Sequence, residues 1–222
     1  MGLRSLLTPR RPEPPPPAVQ TLPLPGAKAD PVFGTKALRK VIKTLASRPS
    51  PVLLDLGPVV GHNVSFFGEQ LGCKIFVEDV FADLDRHVRE RRMGDFPSFL
   101  KSRFARVGVS VDAILCWDLI DYLDRASSQA LAGELTRVLG ADGVLLGFFA
   151  TAPSHDARYT KYVVVDDMTL KYRPYPAARG RQAVLQNRDI MQLFGALRVS
   201  DSFLLQNKVR EILFRKPAYL AR

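Results

Sequence analysis

Cysteine, histidine and long apolar runs are scarce in this sequence, and each scarcity excludes a class of protein. The 222 residues include two cysteines, Cys73 and Cys116, and three histidines. Both cysteines fall in or beside apolar, strand-like runs, so we expect buried thiols in a reducing cytoplasm and neither a disulfide framework nor a metal site. The longest apolar runs, such as that from Gly143 to Ala150, are far shorter than the roughly 20 residues of a membrane span.

The first residues give no targeting signal. The segment from Met1 to Leu6 has no adequate apolar core and no small-residue cleavage site, so we do not expect a secretory signal. Leu6 also occupies the position at which a myristoylation pattern has serine or threonine. A cytoplasmic protein without a membrane span is therefore expected.

Positive charge is concentrated near the start of the chain. The net charge is +10, yet residues 1–50 carry nine basic against two acidic residues, and the other 172 residues carry 23 against 20. This distribution disfavours a nucleic-acid-binding face on the folded part. We expect residues 1–29, rich in proline, to form a disordered basic tail, and residues 30–222 to form one domain. Tail contacts with RNA or another polyanion are the alternative.

Strands and helices alternate along the domain, which predicts an α/β, doubly wound, mostly parallel sheet. Strands are predicted at 52–56, 74–77, 111–116 and 143–149. Helices are predicted from Asp30-Pro31, after His62 or Asn63, and at 83–92, 98–106 and 126–139, the last ended by Gly140. The helix at 83–92 is expected to be charged and exposed. Residues 90–95 give no convincing strand.

Residues 150–186, named here the insertion, interrupt this alternation. A hairpin is predicted from 162–165 and 169–172, and the insertion holds four of the six tyrosines, so we expect an aromatic surface. Its basic residues are expected to cover the substrate side: Arg158, Lys161, Lys171, Arg173, Arg179 and Arg181. Asn187 is expected to cap a helix, and strands at 197–205 and 209–214 form a final antiparallel pair.

A short apolar strand ends at Asp55 and leads into a loop that contains Gly57 and Gly61. In open α/β sheets, ligands bind beyond the carboxyl ends of the strands, and glycines let the backbone approach a ligand closely. The second strand ends in Glu78, and the third ends in Trp117-Asp118. A ligand site at this edge of the sheet is therefore predicted.

In this order, these features resemble a class I S-adenosylmethionine-dependent methyltransferase, over roughly residues 32–216. Asp55, Gly57 and Gly61 match the family's first motif, although Val59 replaces its middle glycine. Glu78 matches the acid that binds the ribose hydroxyls, and Gly94-Asp95 resembles a pair that flanks the adenine. The resemblance implies S-adenosylmethionine as cofactor, bound by Asp55, Gly57, Gly61, Asn63, Glu78, Asp95 and Trp117, and no metal.

The resemblance also implies methyl transfer to an unidentified acceptor, with a small molecule favoured. A sulfonium methyl group is already a strong electrophile, so holding the acceptor in line with it supplies most of the catalysis. Asp118, Asp121 and Tyr122 are the catalytic candidates, each also open to a structural role, while His62 and His155 are weaker candidates. The sequence has no Asn/Asp-Pro-Pro-Tyr stretch, which disfavours methylation of base amino groups.

Two other functions remain open. A binding module with weak or no catalysis is the alternative, because Val59 is β-branched and disfavours a positive φ in the loop. A dinucleotide-binding dehydrogenase shares the acid and glycine pattern, but the final strand pair disfavours it. The oligomeric state is left open.

Overall fold

The computed structural model describes residues 30–153, 157–182 and 184–218. The predicted tail, residues 1–29, and His155 lie outside these ranges. In chain order the strands are β1 (Val32–Gly34), β2 (Val52–Asp55), β3 (Lys74–Val77), β4 (Val111–Trp117), β5 (Leu139–Ala150), β6 (Arg158–Val164), β7 (Thr169–Pro176), β8 (Arg198–Leu204) and β9 (Val209–Arg215). The helices are α1 (Leu38–Ala46), α2 (Gly61–Val64), α3 (Val80–Arg89), α4 (Phe96–Ala105), α5 (Arg125–Val138) and α6 (Asn187–Leu193).

The main sheet confirms the predicted fold class. Its six strands have the order β3-β2-β4-β5-β9-β8. Strands β3, β2, β4 and β5 are parallel, and β9 is antiparallel to both β5 and β8. The chain first moves from β2 to β3 and then returns past β2 to β4. The strand order therefore reverses between β2 and β4, which is the switch point at which open α/β sheets bind ligands.

Alternating side chains of each strand support two apolar layers. On β4, Ile114 and Cys116 join the layer that contains α3, α4 and α5. Ala113, Leu115 and Trp117 join the opposite layer, which contains α1 and the inner face of β6 and β7. Because β4 is buried on both faces, it reads as a nearly continuous apolar run in the sequence.

A second, three-stranded sheet has the order β1-β7-β6 and contains the predicted hairpin. The prediction that a helix starts at Asp30-Pro31 is wrong, because Val32–Gly34 pairs with β7 and the backbone N–H of Tyr172 donates to the carbonyl of Pro31 at 2.8 Å. Helix α1 begins at Leu38 instead. Buried Glu211 of β9 anchors the residues just before α1. Its carboxylate accepts hydrogen bonds from the hydroxyl of Thr35 and from the backbone N–H of Lys36, the latter at 2.8 Å.

Other local predictions also need correction. Helix α3 is not an exposed helix, because Val80, Phe81 and Leu84 are buried in the core. Gly140 does not end α5, because strand β5 follows Val138 directly. Asn187 is not a cap; Gln186 precedes α6 and makes no capping bond with its side chain.

The backbone is irregular after α2 and before α4. Helix α2 continues as a π-helix, Ser65–Gln70, and Gly72 follows with φ 64°. Residues 90–95 contain a short 3₁₀ turn, Met93–Asp95, and no strand, in agreement with the sequence analysis. None of the helices in the described ranges has both the length and the apolar character needed to cross a bilayer.

Candidate functional site

The carboxyl ends of β2 and β4 lie side by side at the switch point and bound a space that we call the crevice. Strand β2 ends at Asp55 and β4 ends at Trp117, and the backbone N–H of Leu56 donates to the carbonyl of Leu115 at 3.0 Å. The structure therefore brings the acid and glycine turn next to Trp117-Asp118, as parallel strand ends require.

Asp55 is buried, and its side chain makes two hydrogen bonds within the protein. One of its oxygens, Oδ1, accepts from the backbone N–H of Gly57 at 2.9 Å and from the indole Nε1 of Trp117 at 2.7 Å. Burial raises the pKa of Asp55 to about 6, although these two hydrogen bonds oppose the rise. The carboxylate that sequence analysis assigned to a cofactor here orders the turn and holds the indole.

The indole of Trp117 also explains why position 57 is glycine. A Cβ at Gly57 would lie 2.9 Å from Trp117 Nε1, which no real side chain tolerates. At Gly61, by contrast, a Cβ would meet nothing within 4 Å. The two glycines of the motif therefore differ: Gly57 is required by close packing, and Gly61 faces open space.

Val59 does not strain the loop as the alternative hypothesis supposed. It is not among the residues with positive φ, and 64% of it is exposed. The strained residue is instead Trp117, which has φ 52° although it is a bulky aromatic residue. Such conformations cost on the order of 1–3 kcal/mol and persist only where surrounding contacts enforce them.

Those contacts come from the insertion. The ring of Tyr162 on β6 stacks on the indole of Trp117, with centroids 4.9 Å apart and planes 8° apart. Tyr162 is 4% exposed and also contacts Phe148 and Tyr172. The prediction of an aromatic surface on the insertion is therefore wrong for Tyr162 and Tyr172, which are buried in the core.

Asn63 holds β6 in this position. Its side-chain amide donates to the carbonyl of Tyr162 at 2.8 Å and accepts from the backbone N–H of Val164, also at 2.8 Å. Asn63 is buried, so both bonds are shielded from water. The residue predicted to contact a cofactor thus links the helix after the glycine loop to the insertion.

Asp118 and Asp121 follow Trp117, and both pair with Arg181 of the insertion. Arg181 Nη2 lies 2.8 Å from Asp118 Oδ2, and Arg181 Nε lies 3.5 Å from Asp121 Oδ2. Asp121 Oδ2 also accepts from the backbone N–H of Ala150 at 2.8 Å. This arrangement places two buried carboxylates beside one partly exposed guanidinium.

The electrostatics of this group are unusual. Burial raises the pKa of Asp121 to about 7, and burial also raises the pKa of Asp118 while Arg181 opposes the rise. Asp118 Oδ1, Asp121 Oδ1 and Arg181 Nε are buried without a hydrogen-bond partner among the described residues. Unsatisfied buried polar atoms are rare in native proteins, and such groups cluster at functional sites.

Tyr122, the third catalytic candidate, belongs to an aromatic group across the crevice. Its hydroxyl donates to the carbonyl of Arg158 at 2.7 Å, and its ring lies 4.7 Å from that of Tyr159 and 5.6 Å from that of Phe81. Burial raises the pKa of the Tyr122 hydroxyl, which disfavours a phenolate. In this conformation Tyr122 holds the start of β6.

Sequence analysis assigned Tyr159 and Tyr162 to an aromatic surface and Arg181 to the substrate side, and it did not predict that the three fill the crevice. Strand alternation could have predicted that Tyr162 and Tyr172 face the core. Each lies between two residues that line an outer surface, as in Lys171-Tyr172-Arg173. No local pattern identifies Arg181, which lies 63 residues from Asp118 in the chain.

Two predicted cofactor residues direct their side chains away from the crevice. Glu78 lies beside Asp55, since its backbone N–H donates to the carbonyl of Asp55 at 2.8 Å, but its side chain pairs with Arg103 of α4 at 2.6 Å. Asp95, at the start of α4, is exposed and pairs with Arg92 at 3.1 Å. Seven of the predicted site residues therefore surround the crevice, while Gly61 faces outward and the side chains of Glu78 and Asp95 face other surfaces.

Comparison with known proteins identifies the fold. No protein-family model matches the sequence, and no curated protein matches it. An S-adenosylmethionine-dependent methyltransferase from Clostridium acetobutylicum is 14% identical, with 81% of this chain and 91% of that chain covered and a TM-score of 0.51. DesVI from Streptomyces venezuelae is 16% identical over 83% of this chain and 93% of that chain, with a TM-score of 0.48. The fold is that of class I methyltransferases.

Proposed function

We propose that this protein, which has the class I methyltransferase fold, is an S-adenosylmethionine-dependent methyltransferase that acts on a small molecule. One observation carries the proposal. The turn formed by Asp55 and Gly57 lies against Trp117-Asp118 at the switch point of the sheet, where this architecture binds ligands.

The residues at the crevice fit S-adenosylmethionine in their chemistry. Asp55 and Asp118 carry carboxylates that can accept hydrogen bonds from the cofactor's ammonium group, and Glu78 can accept from ribose hydroxyls once it leaves Arg103. When bound, the cofactor supplies an electrophilic methyl group. The protein's own contribution is to orient an acceptor and exclude water.

The space in the crevice does not fit the cofactor in this conformation. The indole of Trp117 covers Gly57, Tyr162 stacks on that indole, and Arg181 binds the two acids. Cofactor binding therefore requires the insertion to move away, which would relieve the strain at Trp117 and expose Asp118 and Asp121. This conformation supports no methyl-transfer step, and we infer a closed form.

Asp121 is the residue best suited to move a proton when it is covered. In the closed form burial raises its pKa to about 7, and an acid with such a pKa can act as acid or base near neutral pH. Because burial is the first cause of this pKa, opening the crevice should lower it unless an acceptor covers the group again. Asp118 lies beside Asp121 and can accept a hydrogen bond from the molecule that receives the methyl group.

Calorimetry with S-adenosylmethionine and S-adenosylhomocysteine tests the proposal. We expect binding to the wild type that is weakened by the cost of opening, and tighter binding to Arg181→Gln, in which the closed form loses its ion pairs. Glu78→Ala should weaken binding by about 1–3 kcal/mol. Glu90→Ala, at an acid that lies at the end of α3, is the matched control and should leave the affinity unchanged.

A binding module without turnover is the second candidate, and the filled crevice favours it. If neither cofactor binds to the wild type or to Arg181→Gln at millimolar concentration, the methyltransferase proposal is wrong. Trp117→Ala offers a separate check, because it removes the indole that covers Gly57. Cofactor binding to that variant alone would mean that Trp117 permanently blocks a site that the fold once provided.

A further inference from the structure

A cleft beside the glycine loop lies on the opposite side of the insertion from Trp117. We call it the outer cleft. It measures about 560 Å³ and lies between the loop residues from Val59 to His62 and the outer face of β6 and β7. This volume lies within the range of small-molecule pockets, about 300–1,000 Å³.

Strand alternation gives the outer cleft a basic wall. Tyr162 and Tyr172 face the core, so their neighbours Lys161, Lys171 and Arg173 face the cleft. No acidic side chain of the described residues lines it. Arg173 is partly compensated, because its Nε lies 3.0 Å from Asp30 Oδ2. Lys161 lies over the ring of Tyr175, at 4.9 Å from the centroid, and Lys171 forms no ion pair with a described residue.

The pairing of the strands makes these charges unfavourable by themselves. Lys161 and Arg173 are directly opposite each other in the β6–β7 register. Lys171, two residues from Arg173 on the same face, is opposite Val163. Like charges at directly opposed positions destabilise a sheet. An anion bound between them would remove this repulsion, so the arrangement is better suited to a bound state than to an empty surface.

The remaining walls of the outer cleft are apolar. Val59, Val163 and Val165 contribute side chains, and Tyr175 contributes an aromatic ring. Val59 and Val165 are 64% and 44% exposed, so their apolar side chains are accessible to a ligand in the cleft. Gly61 leaves open space at the base of the cleft.

We propose that the outer cleft binds a small organic anion that joins a phosphate or carboxylate to an aromatic or aliphatic body. Lys161 and Lys171 bind the anionic group, and Val59, Val163 and Tyr175 contact the apolar body. The site is separate from the crevice and does not rest on the proposed methyltransferase function. Its walls are the glycine loop and the closed insertion, so the ligand favours the closed form.

Calorimetry at low salt with the full chain tests this site, with phenyl phosphate, benzoate, inorganic phosphate and benzyl alcohol as probes. Phenyl phosphate or benzoate should bind more tightly than inorganic phosphate, and benzyl alcohol should not bind. The double variant Lys161→Gln/Lys171→Gln should lose about tenfold in affinity, as expected for charge-assisted hydrogen bonds. Val163→Ser should weaken the aromatic anions and leave inorganic phosphate unchanged.

The matched control is Lys43→Gln/Lys101→Gln, which removes two exposed lysines from other surfaces. It should change the affinity less than about twofold, because neither lysine lines the outer cleft and charge interactions weaken with distance. An equal loss in both double variants, or no binding of either aromatic anion, would overturn the proposal. Thermal unfolding confirms folding, and Lys161→Gln should not lower the midpoint because it removes repulsion. The test uses no S-adenosylmethionine, so either proposal can fail alone.

Discussion

Replacing Arg181 with glutamine should shift the protein toward an open crevice. In the closed form, Arg181 lies 2.8 Å from Asp118 and 3.5 Å from Asp121, and both acids are buried. Without the guanidinium, closure leaves two carboxylates together without a cation. The unfavourable contact belongs to the closed form, because opening the insertion would hydrate both acids.

The expected size follows from the burial of the pair. Removing one partner of a buried ion pair costs about 3–5 kcal/mol. Because 24% of the Arg181 side chain is exposed, the lower value of about 3 kcal/mol is appropriate. That free energy shifts the ratio of open to closed molecules by about two powers of ten.

Trp117 reports this shift directly, because it is the only tryptophan in the chain. Opening should move its emission to longer wavelength and speed hydrogen exchange at the backbone N–H of Val164, which now donates to buried Asn63. Arg179→Gln is the matched control, two positions away. The triple variant Arg181→Gln/Asp118→Asn/Asp121→Asn should close again in part, because it has no unpaired charge.

A different result would refute this reasoning. If Arg181→Gln lowered the free energy of unfolding but left exchange in 158–182 no faster than in the rest of the sheet, the ion pairs would stabilise the whole fold. The insertion would then be a permanent part of the core. Any activity of the protein would then have to occur in the closed conformation.

Three further predictions concern the same region. Gly57→Ala should destabilise the protein by about 1–3 kcal/mol in urea unfolding, because the new Cβ would lie 2.9 Å from Trp117 Nε1, whereas Gly61→Ala, with open space, should change stability little. Asn63→Ala should cost about 2–4 kcal/mol, since it leaves the carbonyl of Tyr162 and the N–H of Val164 buried without partners. Asn63→Asp should also destabilise the protein, because it buries a carboxylate against the carbonyl oxygen of Tyr162. An acid whose pKa is raised binds its proton more tightly in the folded state, so the stability difference between wild type and Asp55→Asn should turn against the wild type by about 2 kcal/mol as the pH rises from about 4 to 7. A flat difference over that range would mean that water reaches Asp55.

Local sequence patterns were sufficient to define the sheet and the place of the site. Apolar runs of strand length, separated by helical periodicity, define a parallel sheet, and parallel strands bring their carboxyl ends to one edge. Asp55, Gly57, Trp117 and Asp118 therefore had to meet at the switch point. Local chemistry was also sufficient for the final antiparallel pair, since the short connection between β8 and β9 allows no crossover.

Tertiary structure alone decided what occupies the crevice. Tyr159, Tyr162 and Arg181 reach it from the insertion, and Asn63 bonds to Tyr162 across 99 residues of sequence. Tyrosine and arginine suit both a surface and a buried site, so their types do not reveal which one they enter. The strand Val32–Gly34 was hidden for a related reason: three residues carry no periodic signal, and only pairing with β7 makes them a strand. Long-range packing, which no local pattern encodes, thus turned a predicted ligand turn into a closed, internally bonded crevice.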